Sequence, residues 1–144
     1  MMDEVLSMLL DAQNADGGWG AVKGRRSNTE STSLAIMALG AVGDRNLASR
    51  MRHGMDWLIK RQNADGSWPL DDVVSGGSWT TAFAILALAN LGQEQRALNG
   101  ARWALAQEGR RFGWLTTFWI AVSGQGKNLH LNPDLKGWSW TEKA

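Results

Sequence analysis

The side chains able to carry chemistry are few and thinly spread. Asp71 and Asp72 stand side by side, two residues after Pro69. Paired carboxylates can act as general acid and base if burial leaves one of them holding a proton. In a proline-containing loop the simpler expectation is two solvated acids. Glu30 lies three residues after Ser27 in "SNTE", where it reads as the second half of a helix capping box. Asp16 and Asp65 fall in turn sequences. His53 and His130 are isolated, and the chain has no cysteine, so no ligand set has metal spacing. No metal or cofactor is therefore expected. The basic clusters "KGRR" (23–26) and "RR" (110–111) could meet a diphosphate, with solvated surface charge the simpler reading.

The chain as a whole narrows these options. At 144 residues and 44% apolar content it has the size and core of one domain. Its net charge of +1 gives no electrostatic case for nucleic acid or an anionic surface. The N-terminus "MMDEVLSMLL" places acids ahead of a short apolar run, the wrong order for a signal peptide. The longest apolar run, "AFAILALA" (82–89), is too short to span a bilayer. The expected location is cytoplasmic. Nine tryptophans with no tyrosine suggest one residue used repeatedly at equivalent positions.

The elements that must hold these residues are repeated. "QNADGGW" (13–19) recurs as "QNADGSW" (62–68) at an offset of 49, and "TSLAIMAL" (32–39) falls on "TAFAILAL" (81–88) at the same offset. A period in this range marks stacked supersecondary units. Residues 3–13, with Asp3 as N-cap, form an amphipathic helix on Val5, Leu6, Leu9 and Leu10. Residues 45–62 form another, on Leu47, Met51, Met55 and Leu58, and a third runs over 94–108. Between them, the helix after the capping box and one over 78–91 are apolar or small on all sides, the pattern of helices buried all round.

The predicted fold is all-α: outer amphipathic and inner apolar helices alternate in units of about 1–43, 44–92 and 93–144. The third unit stops before its inner helix, so the chain is expected to be an incomplete ring, part of a longer protein or completed by a partner. Gln13, Gly18, Trp19, Gln62, Gly66 and Trp68 read as structural staples. Each glutamine can bond the orphan carbonyls of its helix end or the amides of the turn, each glycine lets the backbone reverse, and each tryptophan folds back against the neighbouring hairpin.

With "QNADGGW", "QNADGSW", "STSLAIMAL" and "TTAFAILAL" in register, the chain resembles the prenyltransferase and squalene-oxidase repeat family. That family carries the glutamine-to-tryptophan (QW) motif and belongs to the α/α-toroid superfamily, with the squalene–hopene cyclases. The resemblance implies a cavity lined by inner-helix residues and suited to an isoprenoid or other apolar small molecule. Thr32, Trp79, Thr80 and Phe83 are the positions expected to line it. It also permits a test for catalysis. The cyclase acid motif DxDDTA falls on "GSWTTA" (77–82), where every acid is missing, and on "NTESTS" (28–33), where only Glu30 is acidic. The zinc site of the protein prenyltransferases needs a cysteine. The apolar stretch "FGWLTTFWIAV" (112–122) is expected to pack against further hairpins. A peripheral membrane contact through Trp114, Phe118 and Trp119 is the sharper alternative. The open toroid edge offers a route to self-association. Two other classes compete: a non-catalytic helical-repeat interaction module, and a carbohydrate-active α/α toroid using Asp71 and Asp72.

Overall fold

A computed structural model describes residues 2–107. Within them lie five α-helices: α1 (Met2–Asp11), α2 (Thr29–Val42), α3 (Ala48–Arg61), α4 (Thr81–Asn90) and α5 (Glu94–Ala106). A 3₁₀ turn, Arg45–Leu47, leads into α3. The 112–122 stretch with Trp114, Phe118 and Trp119, the loop holding His130 and the last tryptophans lie outside the described residues.

The alternation of outer and inner helices is as the periodicity predicts. α2 and α4 pack on each other, α3 packs on α2, and α5 packs on α4. Among the described residues there is no strand; an isolated bridge joins Gln13 and Trp19. The core gathers Trp19, Ile36, Leu39, Trp57, Leu58, Trp68 and Leu88, drawn from both units.

Three local expectations change. Asp3 lies inside α1, where its charge favours the helix N-terminus without capping it. The cap of α2 is Asn28, whose side-chain oxygen accepts from the Ser31 N–H at 2.8 Å. Ser27 is buried instead, with its hydroxyl engaged by the preceding turn, so Ser27 and Glu30 form no capping box. The inner helices are not covered all round either. Leu34 on α2 is 43% exposed and Leu86 on α4 is 52% exposed.

The repeat shows what those open residues are. Aligning Thr32 with Thr81 places Glu30, Leu34, Met37 and Ala41 over Trp79, Phe83, Leu86 and Asn90. That spacing of four, three and four is one helical stripe, and no residue on it is fully buried in either copy. Ser33 and Ala82 are also equivalent, yet Ser33 is buried and Ala82 is exposed. The neighbouring inner helix therefore covers one flank of α2, and no described helix covers the matching flank of α4.

Candidate functional site

Each QW turn is built by a hydrogen-bond set that the chain writes twice. Trp19 donates its indole N–H to the Leu9 carbonyl at 2.8 Å, and Trp68 does the same to Leu58 at 2.8 Å. The backbone N–H of Trp19 donates to the Thr32 hydroxyl oxygen at 2.9 Å, and that of Trp68 to Thr81 at 2.9 Å. The threonine thirteen residues on thus holds the tryptophan backbone in both units. Gln13 donates to the carbonyls of Gly17 in its own turn and Arg50 in α3, at 2.8 and 3.0 Å. Gln62 donates to Gly66 and Arg96 at 3.0 Å each. The glutamine side chain therefore reaches forward to the next outer helix, while its backbone N–H serves a carbonyl of its own helix, Leu10 for Gln13 and Ile59 for Gln62.

The glycine that reverses the backbone is Gly17 in the first unit (φ +92°), matching Gly66 (φ +95°) in the second. Both sit in the left-handed region that glycine tolerates. Gly18 has another role: a Cβ there would meet the Ser27 Cβ at 2.6 Å. The second unit reverses this contact. Ser67 stands at the position of Gly18, and Gly77 faces it, where a Cβ would meet the Ser67 Cβ at 2.6 Å. The hydroxyl makes the same bonds from either side. Ser27 Oγ donates to Asp16 Oδ1 at 2.8 Å and accepts from Asn14 at 2.9 Å. Ser67 Oγ donates to Asp65 Oδ1 at 2.7 Å and accepts from Asn63 at 3.0 Å.

The outer helices carry a matching receiver whose role the sequence pattern did not reveal. Arg50, Gly54 and Trp57 have the same spacing as Arg96, Gly100 and Trp103. Arg50 donates to the Gln13 side-chain oxygen and Arg96 to that of Gln62, both at 3.1 Å. A Cβ on Gly54 would meet Trp19 Cζ3 at 2.8 Å and Ile36 Cγ1 at 3.0 Å. One on Gly100 would meet Trp68 Cζ3 at 2.7 Å and Ile85 Cγ1 at 2.8 Å. Glycine is required here because the preceding tryptophan and isoleucine occupy the space of any side chain. The available signal was R-x₃-G-x₂-W, written twice.

Asp16 joins the turn to this receiver. Its second oxygen accepts from the Trp57 indole at 2.9 Å, and Gly18 N–H donates to the first at 3.0 Å. Burial raises the pKa of this carboxyl, but hydrogen bonds from Ser27, Gly18 and Trp57 and the charge of Arg61 outweigh that effect. The net result lies below the ordinary value of 3.8. Arg61 also lies over the Trp57 ring, 4.8 Å from its centroid, and pairs with Asp72.

The other candidates separate. Thr32 and Thr80 are fully buried. Thr80 shares a 2.6 Å hydrogen bond with Ser78 and donates to the Pro69 carbonyl at 3.3 Å. Trp79 and Phe83 lie half-buried on the inner-helix stripe, their rings edge to face at 5.7 Å and 78°. Asp71 accepts from the N–H groups of Val73 and Val74, as a turn residue does. Asp71 and Asp72 thus have different partners. His53 is exposed on the outer layer.

Two registered QW turns between alternating inner and outer helices define the architecture, and a family comparison names it. The sequence model of the squalene–hopene cyclase C-terminal domain matches residues 1–85. The chain belongs to that family. No curated protein and no solved structure gives a significant match. Within the squalene–hopene cyclase C-terminal domain family, the described part of this chain is an all-α set of toroid-type repeats. No described helix is long and apolar enough to cross a membrane.

Proposed function

We propose that this domain binds an isoprenoid or similarly apolar small molecule along the inner-helix stripe, on which Glu30 is the one acid and the full acid set of a cyclase motif is missing. One observation carries the reading: the stripe Leu34–Met37 on α2 and Phe83–Leu86 on α4 is apolar and not fully buried in either repeat. Apolar side chains left partly exposed in this way favour an apolar ligand, whose binding removes their area from water. The aromatic pair Trp79–Phe83 lies at its head. Laying the cyclase motif on the structure puts the protonating position at Trp79 in the second unit and Glu30 in the first. A carbohydrate reading draws less support. Trp19, Trp57 and Trp68 are at most 4% exposed, leaving no open ring there for a sugar, and the two adjacent acids are committed to separate contacts.

Titration with farnesol, followed by intrinsic tryptophan fluorescence, tests the proposal. The native protein should give a saturable change. Leu86→Glu, which charges the stripe, should abolish it, whereas Leu98→Glu on α5, 45% exposed in the native chain, should leave it intact. No saturable change, or equal loss in both variants, would sink the reading.

A further inference from the structure

The first turn of α2 is rich in polar side chains, and those around Glu30 are committed. Asn28 accepts from the Ser31 N–H at 2.8 Å. Thr29 donates its hydroxyl to the Pro69 carbonyl at 2.6 Å, and Thr32 donates to that of Trp19 at 3.3 Å. Glu30 stands among them half-buried. Among the described residues, nothing hydrogen-bonds its carboxylate or pairs with it. Asn28 already caps the helix, so capping does not account for the acid. A carboxylate partly withdrawn from water is favoured by a donor or a cation brought to it.

The surroundings of Glu30 say which kind. It heads the stripe that continues through Leu34 and Met37, and Trp79 and Phe83 head the matching stripe of α4. The two heads are tied together at one atom. The Pro69 carbonyl accepts from Thr29, next to Glu30, and from Thr80, next to Trp79, at 2.6 and 3.3 Å. A carboxylate and an aromatic pair thus flank the same end of the apolar surface. Both attract positive charge, the carboxylate by Coulomb attraction and the rings through their quadrupole. Neither stripe carries a lysine, arginine or histidine, so no cation on it would hold a diphosphate or carboxylate head.

We propose that the ligand of this stripe is an amphiphile with a protonated amine head. Its ammonium is bound by Glu30 and set against Trp79 and Phe83, and its hydrocarbon tail lies along Leu34, Met37 and Leu86. The proposal rests on the apolar-ligand reading of the stripe and adds the head group to it. An ammonium supplies both the N–H donors and the charge that the Glu30 carboxylate lacks, whereas a hydroxyl supplies a donor alone.

Titrations with farnesylamine, farnesol and farnesyl diphosphate test this, followed by tryptophan fluorescence at neutral pH and below the aggregation threshold of each probe. The three share one tail and differ in the charge of the head. Farnesylamine should bind about tenfold more tightly than farnesol, and the diphosphate more weakly than either. Glu30→Gln keeps the shape and removes the charge. It should bring the amine down to the level of farnesol and leave farnesol itself nearly unchanged. Glu4→Gln, the same change at an exposed acid on α1, should leave the amine preference intact. Farnesol binding with no preference for the amine overturns this proposal and leaves the apolar-ligand reading standing. So does tighter binding of the diphosphate. An amine preference that survives Glu30→Gln, or that Glu4→Gln removes equally, overturns it as general attraction of a cation. Absence of saturable binding by all three probes overturns both readings.

Discussion

The first and second QW turns share a hydrogen-bond geometry to within a few tenths of an ångström, yet they differ at the residue that supplies the hydroxyl. Ser27 reaches the first turn from the strap ahead of α2, with Gly18 leaving room for it. In the second turn Ser67 is part of the motif itself, and Gly77 in the strap gives way. What repeats is therefore one hydroxyl between one asparagine and one aspartate, in a space for a single Cβ. The letters can move as long as that occupancy is kept.

Removing the tryptophan breaks the comparison most severely. Trp68→Ala should lose about 3–5 kcal/mol in urea unfolding, since the ring is fully buried and cannot be replaced by solvent. Trp19→Ala should lose less, because its flank carries the open α1–α2 groove and the site can relax. Equal losses would show that the groove does not soften the first unit.

The serine–glycine exchange gives the next effect in size and the sharpest test of equivalence. Gly18→Ser alone drives a Cβ into Ser27 and should cost about 1–3 kcal/mol. Ser27→Gly alone strips a buried partner from Asn14 and Asp16 and should cost about 1–3 kcal/mol. The double variant writes the second unit's arrangement into the first and should return to within about 0.5 kcal/mol of the native stability. Additive losses would show that the two turns are alike only in outline.

The same residues mark how far the fold was legible in the sequence. The repeat, the helical alternation and the importance of Gln13, Trp19, Gln62 and Trp68 followed from periodicity, because seven nearly identical letters recur in register with an inner-helix pattern. The receiver residues Gly54 and Gly100 were equally repeated, but the repeat does not say what they receive: a glycine inside a helix looks like a weakness until the tryptophan that presses on it is located in space. The Ser27–Gly77 exchange was hidden for a related reason, since it aligns unlike letters and depends on contacts across the turn. Thr32 and Thr80 were candidate ligand positions by their place at helix starts. Their burial and backbone partners depend on where the QW turn folds, which spacing alone does not specify. Trp79 and Phe83, by contrast, lie on the stripe that helical spacing would trace.

The glutamine bridges test whether the two units are joined by the same device. Gln62→Glu replaces an amide donor to the Gly66 and Arg96 carbonyls with a carboxylate that repels both. Its new attraction to Arg96 offsets only part of the loss, because that arginine is exposed. The expected cost is about 1–2 kcal/mol, and Gln13→Glu should match it through Gly17 and Arg50. A change at one glutamine that is silent at the other would separate the units.

The smallest effect is the acid sensitivity of the Asp16 hub. Its folded pKa is depressed below the value of 3.8, because the hydrogen bonds and the charge of Arg61 that favour the carboxylate outweigh the burial that opposes it. A depressed carboxyl contributes stability that is fully present above the unfolded pKa and is lost as pH falls through the folded one. The contribution should therefore be intact at neutral pH and decay only in the acid range below about 4. Asp16→Asn removes the titration while keeping an oxygen for the Gly18 and Ser27 donors, so its unfolding free energy should fall less steeply there than that of the native chain. Parallel acid profiles for the two proteins would mean that the carboxylate charge adds nothing beyond the hydrogen bonds an amide can make.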